Sequence, residues 1–335
     1  MKDYELNQNA ENKWRYKTMR RSLISLILPS FNEEENIPLI YENLHNIMSL
    51  VNYDYELIFI DDGSEDQTLD SIQDLARKHP HVKYVSFTRN FGKEAALLAG
   101  LQKSQGDAVI IMDADLQHPC FLIPEMIDGY EEGYDQVIAK RNRNGESPLR
   151  KTLSTLFYKG INHLVDVTLK NGIGDFRLLS RPVVNDILKL SEGNRFSKGL
   201  FAWVGYDEKV INYENVARQT GSSKWSLSKL LNYAIDGLVS FNTKPLRICL
   251  YTGLFILFIS LGYIAFIFLQ IVRNGVDVPG YFSTISAILF LGGVQLLSLG
   301  VIGEYIGRMY NEVKRRPHYL VKESNIHESK DKISQ

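Results

Sequence analysis

Two carboxylates separated by one small residue follow a fully apolar run in this chain. Val109–Met112 precedes Asp113-Ala114-Asp115. The carboxyl end of a strand in an open α/β sheet is where ligands bind, and two acids there bind Mg²⁺ or Mn²⁺ against the phosphates of a substrate. The spacing therefore predicts a metal-dependent site for a nucleoside diphosphate. The alternative is an Asp-rich turn before a helix that begins near Pro119.

Two further apolar runs end in polar, turn-forming residues. Leu23–Leu28 leads into Pro-Ser-Phe-Asn-Glu-Glu at 29–34, and Tyr55–Ile60 leads into Asp-Asp-Gly-Ser at 61–64. Helical periodicity covers the regions near Ile37–Leu50, Thr68–Lys78 and Glu94–Lys103. Strands that alternate with helices predict an α/β fold with a mostly parallel sheet covered on both faces. Neither G-x-G-x-x-G nor the P-loop motif occurs, which argues against a dinucleotide-binding Rossmann domain and a P-loop NTPase.

Five motifs occur in an order that resembles one known family. They are Pro-Ser-Phe-Asn-Glu-Glu at 29–34, Asp-Asp-Gly-Ser at 61–64, Arg-Asn-Phe-Gly-Lys-Glu at 89–94, Asp-Ala-Asp-Leu-Gln-His-Pro at 113–119 and Gly-Asp-Phe-Arg-Leu-Leu-Ser-Arg at 174–181. This order resembles the inverting family-2 glycosyltransferases, which implies a GT-A fold. Gly-Ser-Ser-Lys-Trp at 221–225, followed by two apolar segments, makes the chain similar to polyprenyl-phosphate glycosyltransferases. These include bacterial undecaprenyl-phosphate (bactoprenol) sugar transferases and dolichyl-phosphate mannose synthase.

The resemblance implies transfer of a sugar from a nucleotide sugar to a polyprenyl phosphate. Three phosphates then meet in one site, so metal and basic side chains must offset their repulsion. We expect Asp115 to coordinate Mg²⁺ or Mn²⁺ directly and Asp113 to bridge the metal and the donor. By resemblance, Gln117 is a third metal ligand.

By resemblance, Asp175 is the candidate general base. A phosphate monoester has its second pKa near 6, so the acceptor already carries much of its charge at neutral pH and needs little deprotonation. Asp175 is therefore also a candidate for orienting the acceptor or stabilising positive charge on the sugar ring. A turn aspartate beside Gly172 and Gly174 is the alternative.

Basic side chains and one serine are expected to bind the acceptor phosphate and the pyrophosphate. The candidates are Arg141, Arg150, Ser154, Arg177, Arg218 and Lys224. By resemblance, Arg141, Arg150 and Ser154 face the acceptor phosphate, whereas Arg218 and Lys224 belong to a closing segment. Ordinary solvated surface charge is the alternative for such clusters.

Donor recognition is expected at the ends of the first strands. By resemblance, the residues that surround the base, ribose and diphosphate are Pro29, Asn32, Glu33, Asp61, Asp62, Gly63, Ser64, Asn90, Lys93, Asp113 and Ala114. Asp62 is favoured for a base or ribose contact because a carboxylate accepts hydrogen bonds in pairs. The favoured donors are UDP-glucose and UDP-N-acetylglucosamine, with GDP-mannose third.

The composition agrees with a membrane-attached enzyme, and the two distant cysteines indicate free thiols in a reducing compartment. The chain has 335 residues, a formal net charge of -1 and two cysteines, Cys120 and Cys249. This charge gives no general attraction to nucleic acid, and the cysteines form no metal-type pair. Residues 1–22 lack the apolar core of a signal peptide and are expected to form a polar arm.

Two uncharged apolar segments predict a membrane hairpin. Ile248–Val272 and Val278–Gly303 each approach the roughly 20 apolar residues that cross the hydrocarbon layer. Basic residues flank the pair on its outer sides, which predicts a multi-pass protein of the plasma membrane with both termini in the cytoplasm. A buried hairpin in a soluble core is the alternative. Glycine spacing in the second segment indicates close helix packing, and by resemblance the protein is a homo-oligomer such as a tetramer.

These features divide the chain into five parts. They are a polar arm (1–22), a cytosolic GT-A domain (23–225), an amphipathic interfacial helix (226–245), a transmembrane hairpin (246–307) and a basic cytosolic tail (308–335). Two other functions remain open. A processive polysaccharide synthase shares the fold, but its Gln-x-x-Arg-Trp motif is replaced by Arg-Gln-Thr-Gly-Ser-Ser-Lys-Trp at 218–225. A non-catalytic membrane partner is disfavoured because the acidic and basic sets are complete.

Overall fold

The structure is a computed structural model that describes most of the predicted catalytic domain and the C-terminal region. The described residues are 22–142, 173–193, 195–214, part of a helical stretch between 251 and 273, and 280–326. The predicted polar arm, apart from residue 22, and the predicted amphipathic helix lie outside the described residues.

The described strands form one eight-stranded sheet. They are β1 (Leu23–Ser30), β2 (Asp54–Asp61), β3 (Val82–Phe87), β4 (Ala108–Ile111), β5 (Gln136–Asn142), β6 (Ile173–Ser180), β7 (Glu208–Glu214) and β8 (Val321–Ser324). Their spatial order is β7-β5-β6-β4-β1-β2-β3-β8. Only β6 and β8 run antiparallel to their neighbours. The mostly parallel α/β sheet predicted from the sequence is therefore confirmed.

Alternate residues of the central strands enter two separate cores. Leu26 of β1 and Phe59 of β2 belong to the core on one face, whereas Ile27 and Ile58 belong to the core on the other. All four side chains are fully buried. Because both faces are covered, these strands are continuous apolar runs without polar alternation.

Of the seven α-helices whose bounds the structure gives, the six that precede residue 204 lie against the sheet and the last is an exposed apolar helix. They are α1 (Asn36–Met48), α2 (Thr68–Lys78), α3 (Lys93–Lys103), α4 (Ile123–Glu131), α5 (Arg181–Lys189), α6 (Ser197–Trp203) and α7 (Tyr281–Lys314). Helices α1 and α4 pack in one core, and α3 and α5 in the other. The three helices predicted before residue 104 are present, and α1 ends at Met48, two residues before the predicted Leu50.

The C-terminal region joins a long apolar helix to the edge of the sheet. Within α7, Phe290–Lys314 is long and apolar enough to cross a membrane, and its apolar stretch is not buried against the rest of the protein. It is the one such helix among the described residues, and the first predicted span is described only in part, so the pair of spans stays a prediction. After α7, β8 pairs with β3. Part of the segment predicted as a tail at 308–335 thus belongs to the sheet.

Candidate active site

The topology brings the second half of the chain to the same sheet edge as the Asp-x-Asp motif. Strand β6 runs antiparallel to β4, with Ile111 opposite Arg177. Asp113 follows the carboxyl end of β4, whereas Asp175 lies two residues before Arg177. The antiparallel register therefore places the two aspartates at the same level of neighbouring strands.

Lys93 at the first turn of α3 bridges these two aspartates. Its Nζ lies 2.6 Å from Asp113 Oδ1 and 2.7 Å from Asp175 Oδ2. Desolvation alone would lower the pKa of Lys93, but the two carboxylates outweigh it and raise that pKa. Burial opposes ionisation of both acids as well, yet the Lys93 charge keeps the pKa of Asp113 and of Asp175 below the ordinary value. Both carboxylates are therefore ionised at neutral pH.

The Asp-x-Asp turn is held by a hydrogen bond within the turn and by His118. Leu116 adopts a positive φ of 60°, and the Gln117 N–H donates to Asp115 Oδ1 at 3.1 Å. The Asp113 N–H donates to His118 Nδ1 at 2.9 Å. Burial lowers the pKa of His118, although Asp113 opposes the shift, so the ring is neutral and accepts at Nδ1. Sequence reasoning missed this role, for which the only signal is the position of His118 in the motif.

His118 also connects the turn to the strand that carries Asp175. Its ring stacks on Phe176 with centroids 4.9 Å apart and planes 16° apart. Phe176 is fully buried and adjacent to Asp175. The stack therefore fixes the Asp-x-Asp turn relative to β6 without using either carboxylate.

Asp113 and Asp115 suit a divalent cation that is shared with substrate phosphates. No group of three His, Cys, Asp or Glu side chains within the described ranges is arranged to hold a metal ion by itself. Mg²⁺ is usually bound by one or two carboxylates together with waters and phosphates rather than by a complete protein cage. The Asp113 side chain is 27 % exposed, and Asp115 and Gln117 are half-buried, so all three lie open to a ligand.

The predicted donor-binding acids hold loops together. Asp62 accepts hydrogen bonds from the Phe91 N–H at 2.7 Å and from the Gly92 N–H at 3.0 Å. Burial raises the pKa of Asp62, although these two bonds oppose the shift. Asp61 accepts from the Ser64 N–H and from Ser86 Oγ. Through Asp62, the end of β2 determines where α3, and hence Lys93, begins.

Asn32 and Ser64 join the first two strand-end loops. The Asn32 N–H donates to Ser64 Oγ at 3.0 Å, and the Glu65 N–H donates to Asn32 Oδ1 at 2.9 Å. Glu33 accepts from the Asn36 side-chain amide at 2.6 Å. Pro29 lies near the end of β1 in the same region. These predicted donor residues are therefore neighbours.

Gly63 allows a close approach between two of these loops. Its φ is +68°, and a Cβ on it would lie 2.4 Å from the carbonyl carbon of Arg89. Only glycine fits this contact without a backbone shift. Asn90, which follows Arg89, is exposed on the same loop. Ala114, the middle residue of the Asp-x-Asp motif, is buried.

The predicted acceptor-binding residues have different positions. Arg177 is 2 % exposed, its guanidinium lies 4.0 Å from the centroid of the Phe201 ring, and it donates to the Gly174 carbonyl at 2.8 Å. It therefore packs inside the domain. Arg141 is half-buried near the end of β5, opposite Tyr213 of β7. Arg150, Ser154, Arg218 and Lys224 lie outside the described residues.

Comparison with known proteins places this site in a family. The glycosyl transferase family 2 model matches residues 25–188, and the GtrB C-terminal hairpin model matches residues 244–309. Among solved structures, glucosyl-3-phosphoglycerate synthase from Mycobacterium tuberculosis is similar with 22 % identity and a TM-score of 0.43, covering 66 % of this chain and 79 % of that chain.

Three relatives are similar over almost their whole length. The glycosyltransferase CsbB of Bacillus subtilis is 63 % identical over 92 % of this chain and 94 % of its own. A prophage-derived bactoprenol glucosyl transferase of Shigella flexneri is 46 % identical over 90 % and 98 %, and a prophage bactoprenol glucosyl transferase homologue of Escherichia coli is 44 % identical over 89 % and 98 %. With this similarity and a GT-A sheet that carries the motifs at one edge, the chain belongs to glycosyl transferase family 2.

Proposed function

We propose that this protein is a membrane-bound, inverting glycosyltransferase that moves glucose from UDP-glucose to a polyprenyl phosphate such as undecaprenyl phosphate. One observation carries the proposal: the Lys93 ammonium lies between Asp113 and Asp175, so the donor motif and the predicted acceptor-side acid share one site. The names of the Shigella and Escherichia relatives favour a glucosyl donor over N-acetylglucosamine or mannose.

The donor diphosphate is proposed to bind at the end of β4. Asp113 and Asp115, with Gln117, would hold Mg²⁺ or Mn²⁺, which neutralises charge on the leaving nucleoside diphosphate. Because Lys93 forms an ion pair with Asp113, we propose that its ammonium contacts the same diphosphate. Pro29, Asn32, Glu33 and the loop at 61–64 are proposed to surround the base and ribose.

The acceptor phosphate is proposed to attack the anomeric carbon from the face opposite the diphosphate. One phosphate oxygen–carbon bond forms as the carbon–oxygen bond to the nucleoside diphosphate breaks, which inverts the configuration. The acceptor dianion has no proton to lose, and Asp175 is ionised because its pKa is lowered. We therefore assign Asp175 to holding Lys93 and stabilising positive charge on the sugar ring. Arg141, Arg150, Ser154, Arg218 and Lys224 are proposed to bind the acceptor phosphate.

The membrane part is proposed to place this site next to a lipid-bound acceptor. The hairpin match at 244–309 and the apolar Phe290–Lys314 support a two-span anchor. The basic residues on its outer flanks favour cytoplasmic positions for both termini. A polyprenyl phosphate lies in the bilayer with its phosphate at the surface. An anchored catalytic domain is therefore held close to its acceptor.

The test is sugar transfer by the purified full-length protein in proteoliposomes. UDP-glucose, UDP-N-acetylglucosamine and GDP-mannose are offered in turn with undecaprenyl phosphate and Mg²⁺ or Mn²⁺, with EDTA as the control. We expect an organic-extractable, glucose-labelled lipid that EDTA abolishes. Labelled lipid from another donor would overturn the sugar assignment, and a water-soluble polymer would favour the synthase alternative. No transfer from folded, nucleotide-binding protein would favour the non-catalytic alternative.

Asp115→Asn tests the metal assignment in the same assay. We expect its kcat to fall about a hundred-fold or more, because the metal supplies several kcal/mol of charge stabilisation in such reactions. The matched control is Asp74→Asn, which removes an exposed carboxylate that pairs with Arg77 on α2. Full activity of Asp115→Asn would overturn the assignment.

A further inference from the structure

The described residues of the connection between α5 and α6, 190–193 and 195–196, lie between α7 and α3, the helix that carries Lys93. The Gly193 N–H donates to Glu312 Oε1 near the end of α7 at 2.6 Å. At the other end of the connection, Ser197 opens α6 and donates from its N–H to Glu94 Oε2 at 2.9 Å, and its hydroxyl donates to the same oxygen. Glu94 is adjacent to Lys93. A short path of bonded groups thus joins α7 to the active site.

Buried charge holds this connection in place. Arg195 is only 8 % exposed and donates to the Leu190 carbonyl at 2.5 Å. Its charge interacts with Glu94 on one side and with Glu192 on the other. Burial raises the pKa of Glu192, with Arg195 opposing and Glu312 adding to the shift. The connection therefore depends on a balance of charges to which the end of α7 contributes.

A second contact joins α7 to the opposite end of α3. The chain leaves α7 at Arg315, which has a positive φ of 47°, and continues to Tyr319. The Tyr319 ring stacks on Phe87 of β3 at 4.7 Å, and its hydroxyl donates to Gln102 Oε1 at 2.6 Å. Gln102 lies in the last turn of α3, whereas Glu94 lies in its first turn. Both ends of α3 are thus tied to the region around the end of α7.

We propose that Glu312 is a positioning residue that holds α3 and Lys93 relative to the membrane anchor, so that a lipid-embedded acceptor reaches the cleft. This inference rests on the proposed function. Loss of the Glu312–Gly193 bond leaves the catalytic residues in place but removes one of the contacts that orient the catalytic domain relative to α7, while the Tyr319 contacts and the β8–β3 pairing remain. The effect must therefore depend on whether the acceptor is held in the bilayer.

The experiment compares a membrane-held and a soluble acceptor with the same full-length enzyme in proteoliposomes. Glu312→Ala removes the hydrogen-bond acceptor, whereas Glu312→Gln retains an oxygen for the Gly193 N–H. Glu304→Ala is the matched control, because Glu304 is a carboxylate of the same helix that pairs with Arg308 one turn later. Each variant is assayed with undecaprenyl phosphate and with a ten-carbon, water-soluble prenyl phosphate.

We expect Glu312→Ala to lower kcat/KM about ten-fold for undecaprenyl phosphate, the factor that the loss of one charge-assisted hydrogen bond supports. Its kcat/KM for the soluble phosphate should stay within about two-fold of the parent protein, and Glu312→Gln and Glu304→Ala should retain most activity with both acceptors. Hydrogen exchange at the Gly193 amide should rise in Glu312→Ala, which checks the contact independently of activity.

Equal loss of activity with both acceptors would overturn the inference, because Glu312 would then support the domain itself. Unchanged activity with both acceptors would overturn it as well. If the parent protein transfers sugar to neither acceptor, the proposed function fails. That result is distinguished from a failure of the inference, in which the parent protein remains active.

Discussion

Lys93 balances two carboxylates, and this balance is the most sensitive feature of the candidate site. Its ammonium lies 2.6 Å from Asp113 and 2.7 Å from Asp175. Asp62 holds the Phe91 and Gly92 amides, and so places the beginning of α3, which starts at Lys93. The charge balance of the site therefore depends on the loop that follows β2, because that loop fixes where α3 begins.

Replacement of Lys93 by methionine should destabilise the domain and abolish transfer. Asp113 and Asp175 would face each other without the ammonium that bridges them, so the pKa of each should rise. We expect the free energy of unfolding to fall by about 1–2 kcal/mol, less than the roughly 3–5 kcal/mol of a fully buried pair, since 40 % of the Lys93 side chain is exposed. Thermal unfolding in detergent measures the loss, and Lys93→Arg is the charge-conserving control. An unchanged melting temperature would contradict the prediction.

Gly63→Ala should show how closely the donor loops approach each other. The new Cβ would meet the Arg89 backbone at 2.4 Å in addition to the strained φ of +68°. We expect a loss of about 2–4 kcal/mol in stability. Gly133→Ala is the matched control, because Gly133 has a φ of +100° but no atom within 4 Å of the Cβ position, and it should lose only about 1 kcal/mol. Equal losses of stability in the two variants would show that the contact with the Arg89 backbone does not contribute.

At the scale of elements, an aromatic and histidine cluster joins α1, β2 and the α2–β3 turn at the end of the sheet away from the candidate site. Tyr41 stacks with His79 at 4.7 Å, and Tyr55 packs edge-on against His81 at 4.8 Å. The Tyr55 hydroxyl lies 2.6 Å from His45 Nδ1 and 3.3 Å from His81 Nε2. Burial, followed by the neighbouring His79 and His45, lowers the pKa of His81.

This cluster predicts a loss of stability in mild acid. The unfolded chain binds a proton at His81 near its ordinary pKa of 6.5, whereas the folded protein binds it only at a lower pH. The stability that the neutral His81 contributes to the folded state is therefore complete above pH 6.5. It falls as the pH drops below that value, by at most about 1.4 kcal/mol per unit of pKa depression. Melting curves between pH 7.5 and about 5 measure it. His81→Gln should flatten this dependence, whereas Lys78→Gln should not; an unchanged slope in His81→Gln would contradict the assignment.

The elements that could be predicted from sequence are those with a local pattern. Unbroken apolar runs predicted β1, β2 and β4, and helical periodicity predicted α1 to α3. Strand β8 could not be predicted, because Val-Lys-Glu-Ser is short and polar and its partner is remote. The Tyr84 N–H, for example, donates to Asn325, 241 residues away. Non-local pairing of this kind leaves no periodicity in the chain.

The candidate site was predictable in its residue types but not in its contacts. Asp113 and Asp115 follow from their place after an apolar strand, and Asp175 follows from resemblance. The bridge through Lys93 depends on the antiparallel direction of β6, which no local pattern indicates. The buried position of Arg177 likewise depends on packing against Phe201. The roles of Arg150, Ser154, Arg218 and Lys224 stay predictions.

At the scale of the whole molecule, the proposed topology predicts which residues face the cell exterior. In a Cys249→Ser background, Asn274→Cys lies between the predicted spans, whereas Lys322→Cys lies at an exposed position of β8. We expect a membrane-impermeant maleimide to label Asn274→Cys in intact cells and Lys322→Cys only after permeabilisation. The opposite labelling pattern would contradict cytoplasmic termini, and labelling of neither before permeabilisation would contradict a hairpin that crosses the bilayer.

The pairing of β8 with β3 also has a consequence for how the protein is made. A ribosome releases β1 to β7 long before α7, so the outer edge of β3 stays open while the anchor is still being synthesised. An open strand edge is a site for wrong pairing with another chain. In the part of the chain that the structure describes, the strand that closes this edge is β8, which emerges after α7. The catalytic sheet is therefore completed after the anchor has been synthesised, and the finished enzyme first exists at the membrane.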